Sequence, residues 1–203
     1  MANVLFYGDL HAGHKAIAKY RTQFRDEQDH FEHVEREYYN AVTKRDVCYF
    51  TGDAVFSLER ARQIAKWPGK KILICGNHDT DNLTMQQLCE TFDEVAALRK
   101  YKEFWLSHAP LHPTELRGKI NIHGHVHFAT LDDCRYVNTS LENTDYKPIA
   151  LYQIRDIIKA RKHYYASIYD SISGSVSPEI RSATRSIYLD IHSGAYAIPK
   201  GLK

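Results

Sequence analysis

No two cysteines in this chain stand at the spacing of a zinc or redox site. Cys48, Cys75, Cys89 and Cys134 are scattered singly, without a CxxC pair. A thiolate zinc ribbon and a dithiol redox centre are thereby excluded, and Cys48 and Cys75, set within apolar runs, read as small buried hydrophobes. Long apolar runs are lacking as well: nothing approaches the roughly 18 residues of a spanning helix. Nor does the N-terminus carry the basic segment and apolar stretch of a signal peptide. The expected location is cytoplasmic, with no membrane partner. Charge of one sign is also missing. The 27 basic and 25 acidic residues leave a net +2, so no global pull towards nucleic acid or anionic lipid operates. No internal repeat or low-complexity linker interrupts the 203 residues, a length that suits one domain with a substantial core.

Histidine, by contrast, is abundant: there are twelve. It is the commonest metal ligand and changes charge near neutral pH. Its placement follows the short apolar runs. Val4–Tyr7, Val47–Phe50, Lys71–Cys75, Glu103–Leu106 and Ile120–Ile122 read as buried strands, bounded by turn or polar residues. Helical patterns lie between them. Phe31, Val34, Tyr38, Ala41 and Val42 share one face, and Ser57–Trp67 starts at an N-cap serine and stops at Pro68-Gly69. Leu83–Phe92 and Leu151–Lys162 are further helices. Alternating strands and helices predict a layered α/β domain.

Each strand delivers a polar group at its carboxyl end. The first gives Asp9 and His11, the second Asp53, the third Asn77, His78 and Asp79, the fourth His108, and the fifth His125 and His127. Four of the five have a glycine just before the ligand, where the backbone must turn sharply or come close to what is bound. Ligands in open α/β folds sit beyond these strand ends, so the groups are expected to converge. Two carboxylates and four neutral imidazoles would be neutralised by one divalent ion and left positive by two, which attracts phosphate. Seven ligands exceed one tetrahedral ion and suit two ions sharing a carboxylate. Without thiolate, the expected metal is manganese, iron or zinc.

Asp9-x-His11, Gly52-Asp53, Gly76-Asn77-His78-Asp79, His108 and Gly124-His125-x-His127 resemble, in order, the motifs of calcineurin-like metallophosphoesterases. The longer forms GDLHAGHKAI and VNTSLENTDYKPI are similar to small bacterial and phage members. The resemblance implies a four-layer αββα sandwich over residues 1–162, followed by an accessory C-terminal extension, 163–203. It implies that Asp9, His11 and His127 bind one metal, that Asn77, His108 and His125 bind a second, and that Asp53 bridges them. His78 corresponds to the catalytic histidine and Asp79 to the acid that orients it. The activity implied is hydrolysis of a small phosphodiester or phosphomonoester, the diester preferred, by a hydroxide held between two divalent ions, manganese first. The alternatives are a nuclease, whose first motif also reads Asp-x-His-x-Gly, and a non-catalytic scaffold.

Around this set the expectations are finer. His14 reads as a helix-start residue or, as the resemblance implies and as preferred, a group facing the phosphate. Lys15 and Arg21 read either as exposed charges on a helix or as groups placed to reach it, with Arg21 the substrate contact. Phe56 belongs to the core, with stacking on a base as the other reading. His112 is exposed on a loop and His123 is structural, while His30, His33, His163 and His192 read as surface residues. In the tail, Ser177-Pro178-Glu179 reads as a helix start and Ser186–His192 as an added edge strand capable of pairing two copies into a homodimer.

Overall fold

A computed structural model describes residues 2–172. The tail features at 177–179 and 186–192, and the dimer they suggested, lie outside the described residues.

The strands β1 (Val4–Tyr7), β2 (Val47–Phe50), β3 (Lys70–Ile74), β4 (Glu94–Ala96) and β9 (Ile149–Ala150) form one sheet in the order β4-β3-β2-β1-β9. The first four run parallel and β9 antiparallel. A second sheet, ordered β5-β6-β7-β8, comprises β5 (Leu98–Tyr101), β6 (Phe104–Ser107), β7 (Ile120–His123) and β8 (Tyr136–Asn138). The chain changes sheet at Ala97, between β4 and β5.

Both faces of the first sheet are buried, which is why β1 to β3 are apolar without alternation. Leu5, Tyr7, Cys48, Phe50 and Leu73 pack against three helices: α1 (Glu27–Ala41), α2 (Leu58–Ile64) and α4 (Met85–Thr91). The helices contribute Phe31, Val34 and Tyr38, Ala61 and Ile64, and Leu88, respectively. From the other face Phe6, Tyr49, Ile72 and Ile74 meet Phe104, Leu106, Ile120, Ile122 and Val137 of the second sheet. Helix α5 (Leu151–Ile172) closes this inter-sheet core with Leu151, Ile154 and Ile158, and runs on beyond Lys162. Two sheets packed face to face and flanked by helices is the layered α/β arrangement expected. The outer face of the second sheet is covered thinly, by segment 109–119, in which Leu111 N–H donates to Asn121 and the Leu116 carbonyl accepts from Trp105 Nε1.

Helix starts follow the caps. Asp26 accepts the Asp29 N–H at α1, and Ser57 accepts the Arg60 N–H at α2. A capping box of Thr84 and Gln87 starts α4, one residue after the Leu83 expected. Among the described residues no helix is long and apolar enough to cross a membrane.

His30 corrects its sequence reading. It is fully buried rather than on the surface, its ring against Phe24 at 4.9 Å and its Nε2 2.9 Å from Arg21 Nη1. His33, one turn on, is half-buried against Phe24 and Tyr146. His123 is buried, and His112 and His163 are exposed.

Candidate metal centre

The carboxyl ends of β1, β2 and β3 meet those of β6 and β7 across the sandwich. Backbone bonds carry the first sheet's ladder past the strands: Asp9 N–H donates to Gly52 O at 3.0 Å and His11 N–H to Asp53 O at 2.9 Å. Two bonds then join the sheets. The His125 N–H donates to the Asp9 carboxylate at 3.0 Å, and His108 Nδ1–H to the Thr51 carbonyl at 2.8 Å. The second bond leaves the His108 Nε2 lone pair directed into the site.

The ligand-type residues are held in unusual backbone. Asp9 (φ 54°), His11 (53°), Asp53 (48°), His125 (73°) and His127 (48°) all adopt the left-handed region, which non-glycine residues rarely enter. Such strain costs of order 1–3 kcal/mol per residue and persists only where the surroundings enforce it. The preceding glycines make room for close approach. A Cβ on Gly52, itself at φ +91°, would lie 2.3 Å from the His108 ring, and one on Gly76 would lie 2.1 Å from the Asp53 carboxylate.

Among the described residues, two groups offer ligand atoms within 4.8 Å of one another: Asp9, His11 and His127, and Asp9, Asp53 and His108. Asp9 is common to both, and Asp53 Oδ2 of the second lies 3.8 Å from His11 Nε2 of the first and 3.4 Å from His108 Nε2. Asn77 Oδ1 and His125 Nδ1 flank the same His108 nitrogen at 3.2 and 3.1 Å. His11 Nε2 is buried without a hydrogen-bond partner, 3.9 Å from Asp9 Oδ1. An orphaned imidazole nitrogen facing two carboxylates fits a cation ligand, and the wholly oxygen and nitrogen donor set suits a hard or borderline divalent ion.

Charge agrees with that arrangement. Burial pushes Asp53 up, but the His108 hydrogen bond and charge outweigh it and hold the carboxyl below its usual range. Burial alone would lower His108; the bond to Asp53 and its charge raise it to about 8. In metal-free protein the extra proton therefore belongs to the folded state. The stabilisation is complete below about pH 6.5, the unfolded value, and is lost as pH rises through about 8. Urea unfolding in chelator should lose about 2 kcal/mol from this group between about pH 6 and about pH 9. His108→Gln should remove that share of the pH dependence.

Two sequence expectations are corrected. The Asp79 carboxylate is engaged away from the His78 ring. Buried, it accepts the backbone N–H groups of Asp53 (2.9 Å), Ala54 (2.8 Å), Val55 (3.2 Å) and Gly76 (2.8 Å), bracing the Asp53 loop against the end of β3. The carboxylate beside His78 is Asp81, 3.1 Å from Nδ1, one turn along the short helix α3 (Asp79–Asn82). Because this pair is exposed, Asp81→Ala should lower kcat by less than about tenfold, well below the roughly 10²–10⁴-fold that a general acid itself contributes. The melting temperature should stay unchanged; steady-state rates beside a thermal melt check both.

Arg21 is likewise not free to reach a phosphate. It is buried, and every guanidinium donor is engaged. Nη2 donates to Asp9 O at 2.7 Å, Nη1 to Leu10 O at 3.2 Å and to His30, and Nε and Nη2 to Glu142 at 2.9 Å. Burial and the Arg21 charge push His30 down to about 3, so its neutral ring accepts from the guanidinium. Glu142, which lies in the stretch VNTSLENTDYKPI but carries no role in the sequence reading, bonds His127 Nδ1 at 3.2 Å. Burial opposes its ionisation, but His127 and Arg21 outweigh this and hold the carboxyl down at about 2.

A cleft of about 430 Å³ opens beside His11 and His127. His14 forms part of its wall, edge-on to Phe56 at 5.1 Å, and burial followed by the His11 charge lowers its pKa. Phe56 is half-buried and stacks on His11 at 4.8 Å, which packs it against a ligand-type ring rather than in the core. Exposed Tyr20 and Phe128 form the mouth, while Lys15 points to solvent.

The comparisons place this geometry. The chain is 29% identical over 176 residues to the uncharacterized protein MJ1445 of Methanocaldococcus jannaschii, covering 80% of this chain and 94% of that one. It is 28% identical over 162 residues to the Gene 66 protein of Mycobacterium phage L5, covering 63% of this chain and 78% of that one. A crystal structure of a protein of unknown function from Aquifex aeolicus, AQ665, superposes with a TM-score of 0.63 at 27% identity, covering 77% of this chain and all of that one. The sequence model of calcineurin-like phosphoesterases matches residues 2–182, spanning all five strand ends with their ligand-type side chains. By that match and by its paired sheets, the chain belongs to the calcineurin-like phosphoesterase family.

Proposed function

We propose that this phosphoesterase uses two divalent ions, manganese first among them, to hydrolyse a small phosphodiester. The observation that carries the reading is the position of Asp53 Oδ2, set between His11 Nε2 and His108 Nε2 at 3.8 and 3.4 Å. Asp9, His11 and His127 would hold one ion, Asn77, His108 and His125 the other, and Asp53 both. Bound there, the ions would supply Lewis acidity towards the phosphoryl oxygens and a nucleophilic hydroxide at neutral pH.

The chain's own groups supply the rest. Asp53 Oδ1 accepts the His78 N–H at 2.9 Å, so the residue that shapes the ligand set also fixes where His78 begins. His78 lines the cleft with Nδ1 turned to Asp81, leaving its other nitrogen to carry a proton to a leaving oxygen. His14, kept neutral by its surroundings, donates to a phosphoryl oxygen without adding charge.

A diester is favoured because Arg21, already fully bonded, is the one Lys or Arg among the described lining residues. No free cation is left there for the second charge of a monoester. The aromatic mouth accommodates an organic ester group. The test is a comparison of bis-p-nitrophenyl phosphate, p-nitrophenyl phosphate and a single-stranded oligonucleotide with chelated, then manganese-reconstituted, protein. The expected result is metal-dependent hydrolysis with kcat/KM highest for the diester. Preference for the monoester or for the oligonucleotide would overturn the substrate assignment, and hydrolysis that survives chelation would overturn the metal assignment.

A further inference from the structure

We infer that Glu142 is a positioning residue for His127, and that Arg21 makes this pairing rigid by tying the same carboxylate to the backbone that carries Asp9. The inference rests on the metal-centre reading above, in which His127 and Asp9 face one ion.

Glu142 lies in the turn after β8, Leu141–Asn143, with its side chain 3% exposed. Three donors converge on its Oε1: His127 Nδ1 at 3.2 Å, and Arg21 Nε and Nη2 at 2.9 Å each. Such a partner decides which ring nitrogen of His127 carries the proton. With Nδ1–H donated to a carboxylate, the Nε2 lone pair is left for a cation, and the ring loses the freedom to rotate. The backbone of His127 is clamped as well, since its carbonyl accepts from Asn138 Nδ2 at 2.8 Å and from Asn143 Nδ2.

Arg21 extends the clamp across the sandwich. The same guanidinium that holds Glu142 donates to the carbonyls of Asp9 and Leu10, the stretch in which Asp9 sits at φ 54°. One buried fork thus fixes the spacing of Asp9 and His127, which reach the site from different sheets. Lysine, a single ammonium on a flexible stem, lacks the fixed fork needed to span these acceptors together. His30 completes the arrangement by accepting the remaining guanidinium N–H.

The experiment reads the His127 tautomer directly, from side-chain ¹⁵N shifts of metal-free protein in alkaline buffer where the ring is neutral. Wild type should show Nδ1–H, the form that free histidine disfavours. Glu142→Ala should shift His127 towards Nε2–H, whereas Glu142→Gln, whose carbonyl oxygen can still accept, should retain Nδ1–H. Calorimetric titration with manganese should then show one ion bound about 10–100-fold more weakly in Glu142→Ala, with recovery in Glu142→Gln. Nε2–H in wild type would overturn the inference whether or not the variants fold. An unchanged tautomer or unchanged binding of both ions in Glu142→Ala would do the same. Wild type that takes up fewer than two ions would instead overturn the metal-centre reading, while the tautomer still decides the pairing.

Discussion

Asp53→Asn should lower kcat/KM for a phosphodiester by about 10³-fold, ~4 kcal/mol of transition-state stabilisation, with manganese content falling below two ions per chain. The substitution preserves shape and retains an oxygen to accept the His78 N–H, so the metal-free protein should fold. What it removes is the charged oxygen between His11 and His108. An amide nitrogen in that place offers neither a negative charge nor a lone pair to a cation. Metal analysis of the dialysed protein beside steady-state kinetics checks both halves. A variant with full metal and full rate would show that Asp53 does not bridge the two groups.

The second large effect falls on stability. Asp79→Ala should destabilise the fold by about 4 kcal/mol, because four buried backbone N–H groups lose their acceptor and each unsatisfied group costs about 1–3 kcal/mol, not additively. Against a typical domain stability of about 5–15 kcal/mol that is a severe loss. Asp79→Asn should be milder: one oxygen remains for Ala54 and Val55, but an amide NH₂ then faces the N–H groups of Asp53 and Gly76. Urea unfolding of the metal-free proteins measures this. A loss of kcat with stability intact in Asp79→Ala would return Asp79 to the role of orienting His78. The structure gives that place to Asp81.

Asp79 also illustrates what a sequence can and cannot disclose. The glycine-led dipeptides at the ends of β1, β2, β3 and β7 are local signals, and the strands before them are buried runs, so the convergence of Asp9, Asp53, Asn77 and His125 could be anticipated. Helix starts at Asp26, Ser57 and Thr84 rest on equally local capping chemistry. Strands β4, β5, β8 and β9 are not legible in the sequence because they are short and mixed in character, and β9 has only two residues. Their conformation is set by the neighbours they pair with, not by their own pattern.

The same limit governs the site's supports. Arg21 reads as a free cation until Glu142, 121 positions away, is folded against it. His30 reads as solvated because only the assembled domain surrounds it with Phe24, Tyr146 and a guanidinium. Asp79, next to His78 in sequence, is drawn instead to Asp53 and Ala54, 26 and 25 residues earlier. Ligand-type groups can be read from residue type at a strand end. Groups that hold the ligands in place depend on contacts between distant segments, and sequence adjacency misassigns them.

The central claim is that strand ends from two sheets assemble one centre for two ions around Asp53. Anomalous diffraction at the manganese edge from crystals grown with manganese tests it most directly. Two peaks are predicted, one beside Asp9, His11 and His127 and one beside Asn77, His108 and His125, with the Asp53 carboxylate between them. A single peak, or peaks away from these side chains, would contradict it.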